Sequence, residues 1–178
     1  MQEILYGKNP VCEAIKAKRR KIHQIYLLGK PGKPNDIALH LFFQKHQQKI
    51  QYVDHAFLDQ LTYQKNHQGV AAHVEPFHYV DFEELVQKTG EHAFLIVCDS
   101  IQDPQNLGAI CRAAFCFGVS GIVIPSDRSA EITSAVCRAS AGATEHLVVT
   151  RVKNISRALN FLKENGFWCY GLDAHAEK

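Results

Sequence analysis

Asn106, Gly108 and Arg112, within the stretch DSIQDPQNLGAICRAAF from 99 to 115, have the residue types and spacing best suited to chemistry in this chain. From Leu107 to Phe117 the pattern is a nearly all-apolar helix carrying one arginine, with no acid within helical reach. An unpaired buried guanidinium is costly, so Arg112, expected among the apolar side chains, requires an anionic partner from outside the helix. Asn106 brings an amide that both donates and accepts, which suits either a helix cap or the fixing of a bound group. Gly108 stands one turn before Arg112 and either permits a close approach or simply opens the helix.

The elements around these residues predict where they are held. AFLIVCD, GIVIP, HLVVTRV and FWCYGLD read as apolar strands. Between them lie helix-length segments: LGAICRAAFCFG ending at Gly118, EITSAVCRASAGA ending at Gly142, and NISRALNFLKENG from an Asn154 cap to Gly166. This alternation predicts a parallel sheet with crossover helices. Ligands of such sheets bind beyond the carboxyl ends of the strands, where Asp99, Ser100, Gln102, Asp103, Gln105 and Asn106 fall. The glycine fingerprints of dinucleotide-binding and phosphate-loop folds do not occur there.

The first 75 residues predict a separate small α/β unit. Asn9 followed by Pro10 reads as a helix start running to about Lys18, IHQIYLLG as a strand, KPGKPN as a turn, and DIALHLFFQKHQ as a helix capped by Asp36. KIQYVD and GVAAHVEPF are further strands, with HAFLDQLT a short helix and YQKNHQG a loop between them. Residues 76 to 92 read as a linker, placing the unit boundaries at 1–75, 76–92 and 93–178.

Charge is nearly balanced over the 178 residues but unevenly spread. Lys16, Lys18, Arg19, Arg20 and Lys21 form a basic run, either a solvated helix end or a contact for an anionic polymer such as RNA. Acids outnumber bases after Phe77, which favours the polymer. Of the six cysteines, Cys98, Cys111, Cys116 and Cys137 lie in apolar periodic segments and are expected as reduced core residues. Neither they nor the ten scattered histidines show metal-ligand spacing, so no metal is expected. No run is long enough to span a membrane and no signal peptide is evident, so a cytoplasmic location is expected.

The segment from Asn106 to Arg112, N-L-G-A-I-C-R, resembles the first motif, N-x-G-x-x-x-R, of the SpoU-type RNA ribose 2′-O-methyltransferases of the knotted SPOUT superfamily. The preceding Asp-x-x-x-Asp-Pro-x-Asn, the following GVSGIVIP, and SAGATEHL at 140 to 147 extend the resemblance. LYGKNPVCEAI near the N-terminus and NHQGV at 66 to 70 are similar to the substrate-recognition domain of the branch that methylates guanosine in bacterial large-subunit rRNA. The resemblance implies an α/β fold with a small N-terminal RNA-recognition domain followed by a parallel-sheet trefoil-knot catalytic domain. It also implies that this domain is incomplete at its C-terminus here, since the family's later Gly/Glu-rich and Ser-Leu-Asn motifs are not reached.

By the same resemblance the cofactor is S-adenosyl-L-methionine, held mainly by residues beyond Lys178, and the full-length protein is a homodimer acting on large-subunit rRNA or a ribosomal precursor. Arg112 and Asn106 correspond to the motif's catalytic arginine and asparagine. Because a guanidinium stays protonated, Arg112 is expected to grip a phosphate and stabilise charge on the ribose oxygen rather than to act as a base. Lys16, Lys18, Arg19, Arg20 and Lys21 are expected RNA contacts. Arg138 is left as structural or a secondary RNA contact, His67 as a loop-shaping residue, and Glu145 carries no assigned role. A noncatalytic RNA-binding protein of the same fold is the alternative function.

Overall fold

The computed structural model describes residues 2–90 and 92–172. The first half opens with β1 (Glu3–Tyr6), α1 (Lys8–Ala17), β2 (Ile22–Lys30), β3 (Lys33–Pro34) and α2 (Ile37–Lys45), and continues with β4 (Ile50–Val53), α3 (His55–Leu61) and β5 (Val70–Val74). Long β2 organises the sheet: β5 pairs with it antiparallel and carries β1 on its other side, β3 folds back in a short hairpin, and β4 pairs parallel. Asp36 caps α2 as expected, accepting from the Leu39 N–H at 2.9 Å, and Asp54 does the same for α3. At α1 the expectation is corrected, because Gly7 is the cap and Asn9 lies inside the first turn. Gly7 donates its N–H to Val70 C=O and turns the chain at φ +95°, so the helix begins directly after β1.

The second half contains α4 (Phe82–Lys88), β6 (Leu95–Val97), α5 (Pro104–Cys116), β7 (Gly121–Pro125), α6 (Ser134–Ala139), a 3-10 turn (Ala143–Glu145), β8 (Val149–Val152) and α7 (Ile155–Glu164). The strands β6, β7 and β8 form the expected parallel sheet, in that order. Two expectations fail here. EITSAVCRASAGA holds only the six residues of α6, because Ala141 and Gly142 both adopt left-handed backbone and end the helix before the 3-10 turn. Phe167–Leu172 forms no strand among the described residues: alternating apolar side chains stabilise a strand only against a neighbour, and Trp168 and Tyr170 remain about 85% exposed. Asp173, the end of that expected strand, lies outside the described residues.

The stretch expected as a linker is attached between Tyr79 and Val86. Val80 donates to Val149 C=O at 3.0 Å, the Tyr79 hydroxyl accepts from the Ile132 N–H at 2.7 Å, and Leu85 and Val86 are buried. A single apolar cluster also joins the halves, with Leu5, Val11 and Phe43 from the first and Leu107, Cys111 and Val136 from the second. Cys98, Cys111 and Cys137 are core residues, but Cys116 is exposed. Five helical positions turn it about 140° from Cys111 and out of the buried stripe. Among the described residues no helix is long and apolar enough to cross a membrane.

Candidate functional site

Beyond the carboxyl end of β6 the chain forms a polar loop that delivers α5. Ser100 adopts left-handed backbone at φ +55°. The Ile101 carbonyl accepts from Ala130 N–H at 2.7 Å and from the Ser129 hydroxyl at 3.2 Å, tying the loop to the one after β7. Asp103, rather than Asn106, is the N-cap of α5, accepting from Gln105 N–H at 2.9 Å with Pro104 following in the first turn. This leaves the Asn106 amide exposed and uncommitted to capping.

Arg112 is exposed, which corrects the expectation of a buried guanidinium. The buried stripe of α5 is Leu107, Gly108, Cys111 and Ala114, and Arg112 falls just outside it. A composition of small and apolar residues therefore concealed an amphipathic helix. Six positions separate Asn106 from Arg112, about 9 Å along the axis and about 120° around it. A nucleotide touching both would have to lie obliquely across the helix.

Gly108 serves close helix packing. A Cβ built there would stand 3.0 Å from Ser140 N and 3.1 Å from Ala139 C, and would collide with the Ala139 side chain. Thus the SAGA segment sits directly on the helix that bears Asn106 and Arg112. At the far end of the same contact Phe115 packs on the ring of His146, with centroids 5.1 Å apart.

The basic run divides by position. Lys16 is exposed on α1 and pairs with Glu13 at 2.7 Å, and Lys18 leaves the helix in left-handed backbone. Arg19 and Lys21 are exposed, and with Lys18 and Gln48 they line an open concavity of about 370 Å³. Arg20 is the exception, corrected here from a surface contact to a buried one: it is 7% exposed, and Glu145 is 2% exposed beneath it. The Arg20 Nε donates to Glu145 Oε2 at 2.9 Å, Nη2 meets Glu145 Oε1, and Nη1 donates to Glu3 Oε2 at 2.9 Å. Burial alone would lower the Arg20 pKa, yet the bonds and charge of Glu145 raise it above the usual guanidinium value. Burial raises the Glu3 carboxyl, and Arg20 opposes this.

His55, Asp59 and His67 bring potential metal-ligand atoms within 4.8 Å of one another. The hydrogen bonds argue for a different use. Gly69 N–H donates to His67 Nδ1 at 3.0 Å, which puts the proton of the neutral ring on Nε2, facing Asp59 Oδ1 at 3.2 Å. That nitrogen is a donor to a carboxylate and has no lone pair to offer a metal. His67 accordingly shapes the loop in which Gln68 and Gly69 take positive φ.

Comparison with known proteins bears on this arrangement. Residues 93–178 match the model of the SpoU rRNA Methylase family, and residues 4–80 match that of an RNA 2'-O ribose methyltransferase substrate-binding domain. YacO of Bacillus subtilis, named for the TrmH family of tRNA/rRNA methyltransferases, is 36% identical over 179 residues, spanning 99% of this chain and 71% of YacO. The chain belongs to the SpoU/TrmH family of RNA methyltransferases. The Synechocystis protein slr0955, named as a tRNA/rRNA methyltransferase, is 42% identical over 175 residues, covering 95% of this SpoU/TrmH chain and 45% of slr0955. Among solved structures, the SpoU methyltransferase AviRb of Streptomyces viridochromogenes has a TM-score of 0.71 at 17% identity, covering 92% of this chain and 58% of AviRb. An AdoMet-bound rRNA methyltransferase of Sinorhizobium meliloti has a TM-score of 0.66 at 21% identity, covering 89% and 58%. The chain thus spans about half of slr0955 and under two thirds of these structures, which share its fold.

Sequence reasoning assigned nothing to Glu145 or Gln68 in this SpoU/TrmH chain and left Arg138 open between a structural role and a secondary RNA contact. Glu145 had no base nearby in sequence, since Arg20 is 125 positions away. Gln68 and Arg138 meet with Arg138 Nη1 donating to Gln68 Oε1 at 2.8 Å across 70 positions. For Glu145 and Arg138 the available signal was a charge embedded in an apolar or small-residue segment without a local partner, the same signal that marked Arg112, whereas uncharged Gln68 in its polar loop offered none.

Proposed function

We propose that this chain forms the RNA-recognition part and the Arg112-bearing part of an S-adenosylmethionine-dependent methyltransferase acting on a ribose 2′-hydroxyl, in a guanosine of large-subunit rRNA. The observation that carries this reading is Arg112, exposed on α5 one turn after Gly108, with no acid occupying it among the ion pairs of the described residues. An RNA phosphate is the complementary partner: a planar, permanently charged donor fork matches it in shape and charge. In this reading Arg112 holds a phosphate beside the target ribose and stabilises the negative charge that develops on the 2′-oxygen as its proton leaves. Arg112 does not take that proton, because it has no lone pair to accept it. Asn106 orients the polar loop or the ribose through its amide.

Lys18, Arg19 and Lys21, with Lys16 at their edge, grip phosphates along the RNA. The methyl donor, when bound, supplies a sulfonium methyl. A groove beside β6 is lined by apolar, aromatic and uncharged side chains including Phe94, Leu95 and Trp168. It offers no acid for a sulfonium and a ribose diol, so we assign none of these residues to the cofactor.

The test uses the full-length protein, rRNA and a methyl-labelled donor, with 2′-O-methylation located by resistance of one phosphodiester to alkaline cleavage. Label at a single guanosine ribose of large-subunit rRNA is expected. Label on a base or on tRNA alone would replace the substrate assignment, and RNA binding without transfer would leave a noncatalytic RNA-binding protein.

A further inference from the structure

One short segment, 137–147, receives the first half of the chain at several separate points. The Arg20 guanidinium enters it fully satisfied, bonded to Glu145 through two nitrogens, to Glu3 at 2.9 Å, to the Glu75 carbonyl at 3.3 Å and to Cys137 Sγ at 3.5 Å. Arg19 Nη1 donates to the Leu147 carbonyl at 2.5 Å. His146 Nε2 lies 2.8 Å from Glu13 Oε2. Arg138 Nη1 and the backbone N–H of Lys8 share the Gln68 amide oxygen, at 2.8 and 3.1 Å. Gly142, at φ +85°, lets the backbone come so close to α1 that a Cβ there would stand 2.8 Å from Glu13 Cβ and 3.0 Å from Asn9 O.

The other side of the same segment touches α5, through Ala139 and Ser140 at Gly108 and through His146 at Phe115. We propose that segment 137–147 is a docking strip that holds the RNA-gripping half in one orientation against α5, with Arg20 and Glu145 as its positioning residues. RNA held by Lys18, Arg19 and Lys21 then meets Arg112 in a single register. The functional part of this inference rests on the methyltransferase reading above; the docking itself does not.

The physical logic lies in the directionality of the bonds. Apolar contact between the halves tolerates sliding, whereas a forked guanidinium bonded to carboxylates from two directions specifies both distance and angle. Buried ion pairs are poor sources of net stability but strong sources of geometric choice, because any misaligned docking leaves a buried charge unsatisfied. Arg20 stands between Arg19 and Lys21, so the turn that grips RNA is also the turn that is locked.

The test compares full-length wild type with Arg20→Met/Glu145→Met, a double variant that removes the two fully buried charges together and leaves only Glu3, whose carboxyl is partly exposed and can be solvated or protonated, so that no fully buried charge is left alone. Spin labels at Gln44→Cys on α2 and Ser156→Cys on α7, in a background with Cys12, Cys116 and Cys169 replaced by serine, report the distance between the halves. Labelled chains are diluted into unlabelled ones so that only distances within a chain are read. Wild type should give one narrow distance distribution. The folded double variant should give a broadened one, with kcat per folded molecule down at least tenfold, KM for rRNA within about twofold, and methyl groups spread to neighbouring riboses. A narrow distribution, or wild-type kcat at a single nucleotide, in the folded double variant would overturn the proposal. If wild type transfers no methyl group, the methyltransferase reading fails while the distance measurement still decides the docking.

Discussion

Gly108 and Ala139 set the separation of α5 from α6, and no side chain larger than hydrogen fits at 108 without moving one helix. In an isolated helix alanine is favoured over glycine by about 1 kcal/mol. Here the added methyl would press on the Ala139 side chain and on backbone atoms of Ala139 and Ser140, none of which can rotate away. Overpacking of this kind costs about 1–3 kcal/mol, so Gly108→Ala should destabilise on balance. Chemical denaturation should show a lower midpoint at unchanged slope. A midpoint at or above wild type would mean that the two helices separate freely.

Exposure of Arg112 separates its effect on folding from its effect on reaction. An exposed side chain away from caps and ion pairs changes stability by about 0.5 kcal/mol or less, so Arg112→Ala should melt like wild type. Turnover of the full-length enzyme should fall at least about a hundredfold, the scale of losing one charge-stabilising donor. Arg112→Lys should recover little, since a point charge does not reproduce the planar fork. Single-turnover methylation and melting on one preparation check both expectations, and near-normal turnover in a folded Arg112→Ala protein would remove the catalytic role.

The contrast between Arg112 and Arg20 shows what the sequence made legible. Strand and helix order in the second half followed from apolar runs and glycine stops, and the N-x-G-x-x-x-R spacing marked α5 before any geometry was known. Burial of individual charges did not follow. Arg112 sits in an apolar-looking stretch yet faces outward, because small residues fill the buried stripe. Arg20 sits in the most basic stretch of the chain yet faces inward, because its partners come from β1 and from the 3-10 turn 125 residues on. Local composition reports the average environment of a segment, while long-range pairing decides where one guanidinium goes. FWCYGLD fails for a related reason: a strand needs a neighbour, which its own residues do not specify.

The basic turn should therefore respond unequally to substitution. Replacing Lys18, Arg19 and Lys21 together by alanine should weaken rRNA binding and reduce the salt slope by up to about three phosphates' worth, with melting lowered only by the lost Arg19–Leu147 hydrogen bond, about 1 kcal/mol. Arg20→Ala should instead cost about 3–5 kcal/mol, because it leaves Glu145 buried without its partner. Binding titrations at several salt concentrations, beside denaturation curves, separate the two. An unchanged slope in the triple variant would return those residues to a solvated helix end.

Cysteine chemistry offers a check on the core that is independent of RNA. Burial pushes the thiols of Cys98 up to about 11 and of Cys111 and Cys137 up to about 12, whereas Cys116 is exposed on the outer face of α5. At pH 8 an alkylating reagent should modify Cys116 at least about a hundredfold faster than these three, since only the thiolate reacts and only Cys116 is accessible. The same shifts have a sign for stability. A thiol whose folded pKa lies above its unfolded value of 9.0 binds its proton longer in the folded state, so folding loses free energy as pH rises past about 9. The slope is up to about 1.4 kcal/mol per pH unit for each thiol, continuing until the folded group itself ionises. Denaturation midpoints measured from pH 8 to pH 10.5 should fall, and Cys111→Ala should fall less steeply because the contribution of one raised thiol is gone. Equal slopes in the two proteins, or alkylation of Cys111 as fast as Cys116, would mean that α5 does not hold its buried stripe against the sheet, and with it the placement of Arg112 just outside that stripe would be lost.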